Sequence, residues 1–227
     1  MSKGRKAVVV GFFFVLLPFF VGTAIAEQKK AAGNCEQPLV TVDKEHSLPP
    51  GYVPPDLAYL SHYDVPFTGW DKMLRKDAAE QLSRLTTDSG MEGVEILVSS
   101  AYRSYYEQAA AFAYYTYLYG TEANRVSAFP GHSEHQLGTT VDFTNAEAGY
   151  EVSQVFGETD AARWLQEHAA DYGYVMSYPD GKEDETGYVW EPWHYRYVGV
   201  ENAHKLEESD KSPPAFVLDR GVKPDCD

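Results

Sequence analysis

The sequence predicts an α+β domain with a small, mostly antiparallel sheet and helices packed on it. Two segments have helical patterns, over residues 71–87 and 104–120. Several short apolar or alternating segments, typical of strands, follow them and are separated by turns. Helices that precede and interrupt a run of strands favour the α+β class over the regular alternation of a parallel sheet.

The helices are predicted from periodicity and from capping residues. In the first, apolar side chains recur on one face: Leu74, Ala78, Leu82 and Leu85. The second opens with a capping box, because Glu107 follows Ser104 by three residues. A third helix is expected to begin after Thr159, a favourable N-cap, and to close at Gly173.

The strands are predicted from apolar runs and alternation. Residues 94–98 form an apolar segment, and residues 139–144 alternate so that Asp142 faces the side opposite to Val141 and Phe143. Residues between these two segments include a predicted loop at 131–137. Three further short segments predict strands, at residues 174–176, 188–190 and 193–198.

The first 26 residues predict an export signal. Lys3, Arg5 and Lys6 give a basic start, residues 7–26 carry no charge, and residues 24–26 have the small-x-small pattern of a cleavage site. The uncharged segment is also long enough to span a bilayer as an uncleaved anchor. We therefore expect an exported protein, either released or anchored.

The charge of the chain excludes one class of partner. The net charge is −15 at pH 7, and it becomes −18 without residues 1–26, which carry three basic and no acidic side chains. Such a surface repels nucleic acid, so no nucleic-acid partner is expected. The charge fits solubility outside the cell.

The remaining domain organisation follows from composition. Residues 27–55 are polar and proline-bearing and predict a linker or an extended arm, residues 56–205 predict the folded domain, and residues 206–227 a C-terminal tail. Cys35 and Cys226 lie near the two ends of the exported chain. Export permits a disulfide between them, and two free thiols are the alternative.

Two clusters carry the ingredients of a catalytic zinc site. Such a site needs three protein ligands, an open position for water, and a carboxylate that accepts the proton of that water. The first cluster holds His132, His135 and Asp142, and the second holds Glu191 and His194.

In the first cluster, His135 with Asp142 fits a metal better than His132 with His135. A spacing of three would suit two ligands on a helix, but Pro130 and Gly131 favour a loop. Asp142 lies between apolar residues of a predicted strand. A buried carboxylate is costly unless it is paired or bound to a cation, and this favours a metal beside Asp142.

In the second cluster, Pro192 determines the expected geometry. On a regular strand Glu191 and His194 would face opposite sides, but a proline removes a ladder donor and favours a bend. We therefore expect His194 to bind the ion and Glu191 to stand just outside its ligand shell. The other histidines are expected to be ordinary surface or packing residues, namely His46, His62, His168 and His204.

Several motifs, in order, resemble the VanY-like D-alanyl-D-alanine carboxypeptidases, zinc peptidases of the lysostaphin- and hedgehog-like group. Residues 99–104 (SSAYRS) resemble the S-G-Y-R-S segment, and residues 130–136 (PGHSEHQ) the P-G-x-S-E-H-Q loop. Residues 133–142 follow the S-x-H-x-x-G-x-A-x-D pattern, and residues 178–197 resemble the closing block. The resemblance covers roughly residues 55–200.

The resemblance implies one zinc ion per chain, bound by His135, Asp142 and His194. It also implies that Glu191 is the catalytic base and that Arg103 holds the scissile carbonyl oxygen as it becomes an oxyanion. A guanidinium suits this task because it is always charged and presents a fork of donors.

The resemblance further implies a substrate and its binding residues. The substrate would be the D-Ala-D-Ala end of a peptidoglycan stem peptide in the bacterial cell envelope. Gln108 and Ser133 would help to bind the terminal D-residue, and Tyr188 and Trp193 would line its pocket. His132 would be a loop residue.

Two positions depart from the family pattern. Ala101 stands where the family usually has glycine, and Thr140 where it usually has alanine. Thr140 is predicted to lie on the same face as Asp142, where its hydroxyl would be able to hydrogen-bond to the carboxylate. No ligand or catalytic position is missing.

Other functions remain open at this point. Related enzymes cut an L-alanyl-D-glutamate bond or act as D,D-dipeptidases, although residues 178–183 look more like those of the carboxypeptidases. A zinc-bearing module that binds cell wall without cutting it would be expected to lose Glu191 or Arg103, and both are present. A structural exported protein without a metal would leave the ordered motifs unexplained.

Overall fold

The computed structural model describes residue 35, residues 37–221 and residues 223–225. The predicted signal or anchor at residues 1–26 lies outside the described residues, as does Cys226. Over the described ranges, no helix combines the length and the apolar character needed to cross a bilayer.

Two antiparallel sheets form the β part of the described chain, and the predicted α+β class is confirmed. The first is a pair, β1 (Leu57–Tyr59) with β2 (Met73–Arg75). The second has the order β3-β4-β6-β5 and is antiparallel at every pairing. Its strands are β3 (Leu97–Ser100), β4 (Thr140–Thr144), β5 (Tyr174–Met176) and β6 (His194–Tyr197).

Six α-helices accompany the sheets within the described residues. They are α1 (Lys76–Met91), α2 (Tyr105–Tyr119), α3 (Asp160–His168), α4 (Glu183–Thr186), α5 (Val200–Glu207) and α6 (Pro213–Arg220). Short 3-10 helices connect them at Leu60–Tyr63, Gly120–Arg125, Glu134–Leu137, Gln154–Glu158 and Ala169–Tyr172.

Two helix starts confirm the sequence predictions. At the start of α2, Ser104 Oγ accepts from the Glu107 backbone N–H at 3.3 Å, and the Glu107 carboxylate accepts from the Ser104 N–H at 2.8 Å. At the start of α3, Thr159 accepts from the Ala162 N–H at 3.2 Å. The segment ends as expected at Gly173, whose φ of 79° suits a glycine.

Three segments differ from the prediction, and backbone hydrogen bonds explain the first two. The first helix begins at Lys76 because residues 73–75 pair with β1 instead. The strand predicted at residues 94–98 begins only at Leu97, because the Val94 N–H still bonds to Ser89 at the end of α1. The predicted loop at residues 131–137 contains a 3-10 turn.

The strand predicted at residues 188–190 is wrong. The Tyr188 N–H bonds to the Thr186 hydroxyl at 3.2 Å, and the Val189 N–H bonds to the Arg125 carbonyl at 3.0 Å. These partners cap and cross-link a loop, so the segment joins no sheet. Its apolar composition reflects packing around a cavity described below.

The sheet separates an apolar side from a polar side. Val141 and Phe143 of β4 are fully buried in the main core together with residues of α1 and α3. Because side chains alternate along a strand, Asp142 lies on the other side, where the polar site forms. The core includes Leu74, Leu82, Leu85, Val98, Phe156 and Leu165.

Both ends of the described chain pack against the domain. Side chains of the segment predicted as an arm form a buried cluster with the turn before β4: Cys35, Val40, Val42, Leu48, Tyr52 and Leu137. Cys35 is disulfide-bonded. In the segment predicted as a tail, α6 packs with α5 and β5 through Phe216 and Val217.

Candidate active site

Three potential metal ligands converge at the middle of the four-stranded sheet. Asp142 on β4 and His194 on β6 are directly opposite one another in the antiparallel register. His135 comes from the 3-10 turn at Glu134–Leu137, which precedes β4. One ligand atom from each of these buried residues lies within 4.8 Å of the other two.

A backbone carbonyl orients the His135 ring. Its Nδ1 lies 2.7 Å from the Ala101 carbonyl oxygen, which can only accept, so Nδ1 carries the proton and donates it. The unprotonated Nε2 then faces Asp142 Oδ2 at 3.2 Å. This leaves a lone pair directed into the cluster.

The His194 ring is oriented from its opposite nitrogen. Its Nε2 donates to Glu134 Oε2 at 3.0 Å. Its Nδ1 faces Asp142 Oδ1 at 3.2 Å and Glu191 Oε2 at 3.5 Å. The tautomer with the proton on Nε2 therefore directs the Nδ1 lone pair into the same space as the His135 Nε2 lone pair.

This arrangement fits a zinc ion. Two imidazoles and one carboxylate are a usual three-residue ligand set for catalytic zinc. Bonds of ~2.0 Å in a tetrahedron put neighbouring ligand atoms about 3.3 Å apart, close to the two separations of 3.2 Å measured here. Asp142 Oδ1 is buried and accepts no aligned hydrogen bond, so a cation would satisfy it.

The charges at the cluster favour a carboxylate anion and one neutral histidine. Burial alone would raise the pKa of Asp142, but the charges of His135 and His194 hold it well below its usual value. Burial lowers the pKa of His135. Burial would also lower the pKa of His194, but its contacts with Asp142 and Glu134 raise it to about 10 in the metal-free protein.

Glu191 stands beside the cluster without belonging to it. The predicted bend at Pro192 is confirmed: residues 191–194 form a turn in which the His194 N–H bonds to the Glu191 carbonyl at 3.1 Å. The turn brings the Glu191 carboxylate to the metal-facing side of His194. Burial raises the pKa of Glu191 to about 8, and the negative charge of Asp142 adds to this, while His194 and Arg103 oppose it.

Arg103 is aimed at the same space by neighbouring side chains. It follows β3, and its Nη1 donates to Gln108 Oε1 at 3.0 Å. Its Nη2 lies 3.8 Å from Asp142 Oδ2. The amide nitrogen of Gln108 donates to Ser127 Oγ at 3.2 Å and to the Ala128 carbonyl at 2.7 Å, so Gln108 is a fixed support for the guanidinium.

A cavity of about 300 Å³ opens on these groups. The predicted substrate residues Gln108, Ser133, Tyr188 and Trp193 all line it. Ser133 and Tyr188 are buried, and the Tyr188 hydroxyl makes no hydrogen bond within the described chain. The walls also contain Tyr115, Tyr119, Val126, Val152, Gln154, Tyr178 and Val189.

Sequence reasoning assigned no role to several residues around the site. The Tyr178 ring packs on the His194 ring with centroids 4.7 Å apart. Lys44, from the segment predicted as an arm, places its ammonium 3.6 Å from the centre of the Tyr188 ring and also donates to the Asn124 carbonyl. Glu134 contacts a ligand histidine, and Arg196 contacts Glu134. For Glu134, the one signal available in the sequence was its position directly before the ligand His135.

The other histidines and Thr140 take no part in the candidate metal site. His132 is outside the ligand cluster, and its Nδ1 contacts the Asp43 carbonyl at 2.8 Å. The hydrogen bond considered between Thr140 and Asp142 is absent, because the buried Thr140 hydroxyl makes no hydrogen bond with any described residue. The remaining four histidines are also outside the ligand cluster: His46, His62, His168 and His204.

Known proteins are similar to this chain in sequence and in fold. The Bacillus subtilis protein YodJ is 38% identical over 182 residues, which are 78% of this chain and 66% of YodJ. The chain thus spans just under two thirds of that relative. The solved structure of the LdcB LD-carboxypeptidase has a TM-score of 0.75 at 36% identity, covering 82% of this chain and 88% of LdcB.

A second solved structure carries a metal. It is a variant of the vancomycin resistance D,D-pentapeptidase VanY from a VanB-type cassette, in complex with Zn(II). Its TM-score is 0.61 at 27% identity, covering 79% of this chain and 98% of that chain. A family model for VanY, D-alanyl-D-alanine carboxypeptidase, matches residues 71–200, which contain every ligand and both catalytic candidates described above. This chain belongs to the VanY D-alanyl-D-alanine carboxypeptidase family.

Proposed function

We propose that this protein is a zinc-dependent D,D-carboxypeptidase that removes the terminal D-alanine from the D-Ala-D-Ala end of peptidoglycan stem pentapeptides. One observation carries the proposal: a single cavity joins three buried ligands, a buried carboxylate outside the ligand set, and a fixed guanidinium. His135, Asp142 and His194 would hold one zinc ion per chain.

The residues of the chain divide the work of peptide hydrolysis. A zinc ion at these ligands would supply Lewis acidity for the attacking water and the scissile carbonyl. Glu191 accepts the proton of the attacking water and returns it to the leaving amine. Its burial beside the ligand cluster suits a group that must both take and give a proton.

Arg103 stabilises the negative charge that develops on the scissile carbonyl oxygen. Its guanidinium is held by Gln108 at 3.0 Å and by Ser100 at 3.5 Å, so little reorganisation is needed when the charge forms. Ser133 and Trp193, on the cavity wall, would bind the departing D-alanine. Tyr188 would close the same wall with its ring.

A second activity is favoured by one comparison. The LdcB LD-carboxypeptidase has the higher TM-score and identity of the two solved structures described above. An LD-carboxypeptidase removes D-alanine that follows an L-centre, so it would act on a stem tetrapeptide. In this chain the same ligands, base and guanidinium would serve either reaction, and the pocket wall would decide between them.

We also propose that the enzyme acts outside the cytoplasm. The basic start and uncharged segment of residues 1–26 support export to the bacterial cell envelope, where stem peptides are found. An N-terminal anchor would hold the enzyme at the membrane, and cleavage would release it.

The test uses the purified protein with three substrates: a muramyl pentapeptide ending in D-Ala-D-Ala, the corresponding tetrapeptide, and free D-Ala-D-Ala. Mass spectrometry follows the products with zinc, with a chelator, and with the variant Glu191→Gln. The exposed Glu167→Gln variant is the matched control. Loss of one alanine from the pentapeptide, abolished by the chelator and by Glu191→Gln but not by Glu167→Gln, supports the proposal.

The other outcomes separate the rival functions. Cleavage of the tetrapeptide alone indicates an LD-carboxypeptidase. Release of a larger fragment indicates an endopeptidase, and cleavage of free D-Ala-D-Ala alone indicates a dipeptidase. Zinc binding without any cleavage indicates a module that binds cell wall.

A further inference from the structure

Glu134 is a buried carboxylate that contacts a metal ligand without being part of the ligand cluster. Only 2% of its surface is exposed. Its Oε2 accepts from His194 Nε2 at 3.0 Å and from Ser177 Oγ at 2.6 Å, and its Oε1 accepts from Arg196 Nη1 at 2.9 Å. Both oxygens are therefore used inside the protein, and Glu134 faces no substrate.

Arg196 extends this chain of contacts to the N-terminal segment. Its side chain is also 2% exposed. Its Nη2 donates to the carbonyl oxygens of Pro38 at 3.0 Å and Val40 at 2.6 Å. The contacts thus run from the backbone at residues 38–40 through Arg196 and Glu134 to His194.

The position of Glu134 has a direct consequence for the ligand histidine. A carboxylate at Nε2 fixes the ring orientation and keeps the proton on Nε2, so that the Nδ1 lone pair points towards Asp142. It also increases the electron density on Nδ1 and so strengthens it as a ligand. His135 has a neutral carbonyl in the equivalent place, so the carboxylate effect is confined to His194.

A simpler role is available for the same contacts. Glu134 and Arg196 form a buried ion pair, and removing one member of such a pair destabilises a fold whatever the pair does for a metal. Replacing both members removes the unpaired buried charge that a single replacement leaves, so the double replacement is expected to restore stability. If Glu134 serves only the ion pair, the double replacement should restore both stability and zinc affinity. If Glu134 also positions His194, the double replacement should restore stability alone.

We propose that Glu134 is a positioning residue for the zinc site, which acts through His194 and is itself held by Arg196 and the backbone of residues 38–40. The proposal rests on the zinc site of the proposed function. It assigns to the N-terminal segment, through Arg196, a part in the geometry of a metal ligand 154 to 156 residues further along the chain.

The test compares zinc affinity with fold stability in four proteins. They are the full-length wild type, Glu134→Gln, Arg196→Met, and the double variant Glu134→Gln/Arg196→Met. Zinc dissociation constants are measured by competition with a chromophoric chelator, and the stability of the metal-free protein by thermal unfolding. Asp56→Asn, which breaks the 2.8 Å ion pair between Asp56 and Arg75, is the control for loss of an ion pair elsewhere.

We expect Glu134→Gln to raise the zinc dissociation constant by about 10- to 100-fold, the usual effect of removing an outer-shell partner. We expect the double variant to recover stability and to keep the raised dissociation constant. Asp56→Asn should leave the dissociation constant unchanged. If a single variant does not fold, the double variant still decides between the positioning role and the ion-pair role.

Three results overturn the inference, and they are distinguishable from one another. If the double variant recovers wild-type zinc affinity together with stability, Glu134 serves only the ion pair. If the wild type binds no zinc at a one-to-one ratio, the proposed function fails and the inference fails with it. Wild-type zinc binding with an unchanged dissociation constant in Glu134→Gln sinks the inference alone.

Discussion

Two glutamates lie on opposite sides of His194, and their surroundings give them opposite properties. Both are buried, and both have a carboxylate oxygen within 3.5 Å of a ring nitrogen of His194. Burial alone would raise the pKa of Glu134, but Arg196, His194 and Ser177 lower it to about 2. On the other side, burial raises the pKa of Glu191 to about 8.

The difference shows that the partner of a buried carboxylate decides its role. Glu134 has a guanidinium and a hydroxyl as permanent donors, so it is a fixed anion that orients its neighbour. Glu191 faces the cavity and lies 3.5 Å from His194 Nδ1, but no cation among the described residues donates a hydrogen bond to its carboxylate, so its proton is exchangeable. On the proposed assignment, one side of His194 serves the geometry of the metal site and the other serves proton transfer.

The largest effect is expected from the proton-transfer side. Glu191→Gln should lower kcat by roughly 10²- to 10⁴-fold because the amide cannot accept the proton of the attacking water. Zinc content, measured by atomic absorption, should stay near one per chain. Loss of the metal in this variant would mean that Glu191 is a ligand, and the contrast with Glu134 would no longer hold.

A second effect comes from the proton that His194 carries in the metal-free protein. Because its pKa is raised to about 10, zinc must displace a proton at neutral pH. Zinc affinity should therefore rise by about tenfold per pH unit, or roughly 100-fold between pH 6 and pH 8. Calorimetric titration in buffers of different ionisation enthalpy should show about one proton released per zinc bound. A pH-independent affinity with no proton release would contradict the assignment.

A smaller effect is expected from the support of Arg103. Gln108→Leu removes the 3.0 Å hydrogen bond to the guanidinium and leaves the ligands in place. We expect kcat/KM to fall by about tenfold or more, mainly through kcat, with unchanged zinc affinity. If KM rises and kcat is unchanged, Gln108 instead contributes to substrate binding, as the family resemblance implied.

The smallest effect concerns the stability of the metal-free protein, where the two glutamates should act in opposite directions. The raised pKa of Glu191 means that the folded state binds more protons than the unfolded state between about pH 4.5 and pH 8, so this residue reduces stability as pH rises through that range. Glu191→Gln should therefore raise the unfolding midpoint at pH 8 by roughly 3–6 °C.

The stabilising contribution of Glu134 has the opposite pH dependence. Its pKa is lowered, so the contribution is complete above about pH 4.5 and is lost as the pH falls towards about 2. Thermal unfolding of the wild type and of Glu134→Gln should converge over this acid range. Parallel curves from pH 5 to pH 2 would mean that Glu134 is not ionised in the folded protein.

The sequence predicted the Glu191 side of His194 better than the Glu134 side. The bend at Pro192 is a local effect of one residue type, and the alternation around Asp142 is a local effect of a strand. The partnership of Glu134 with Arg196 joins residues 62 positions apart, and no local pattern marks it. The polar composition of residues 27–55 likewise concealed Val40 and Leu48, whose burial depends on tertiary contacts.

The fold was predictable to a similar extent. Capping residues located the starts of α2 and α3, since a cap acts within one turn of the chain. The strand wrongly expected at residues 188–190 has the composition of a strand, but its donors bond to Thr186 and Arg125. Only the neighbouring elements determine whether such a segment pairs in a sheet.

The hydrogen bonds from Arg196 to Pro38 and Val40 also constrain when the site forms. They join residues 158 and 156 positions apart. Closing a loop of this length costs on the order of 4–5 kcal/mol in chain entropy, and contacts of such long range form slowly. During synthesis the carbonyls emerge well before the arginine that binds them. Full zinc affinity should therefore be among the last properties that the folding chain acquires.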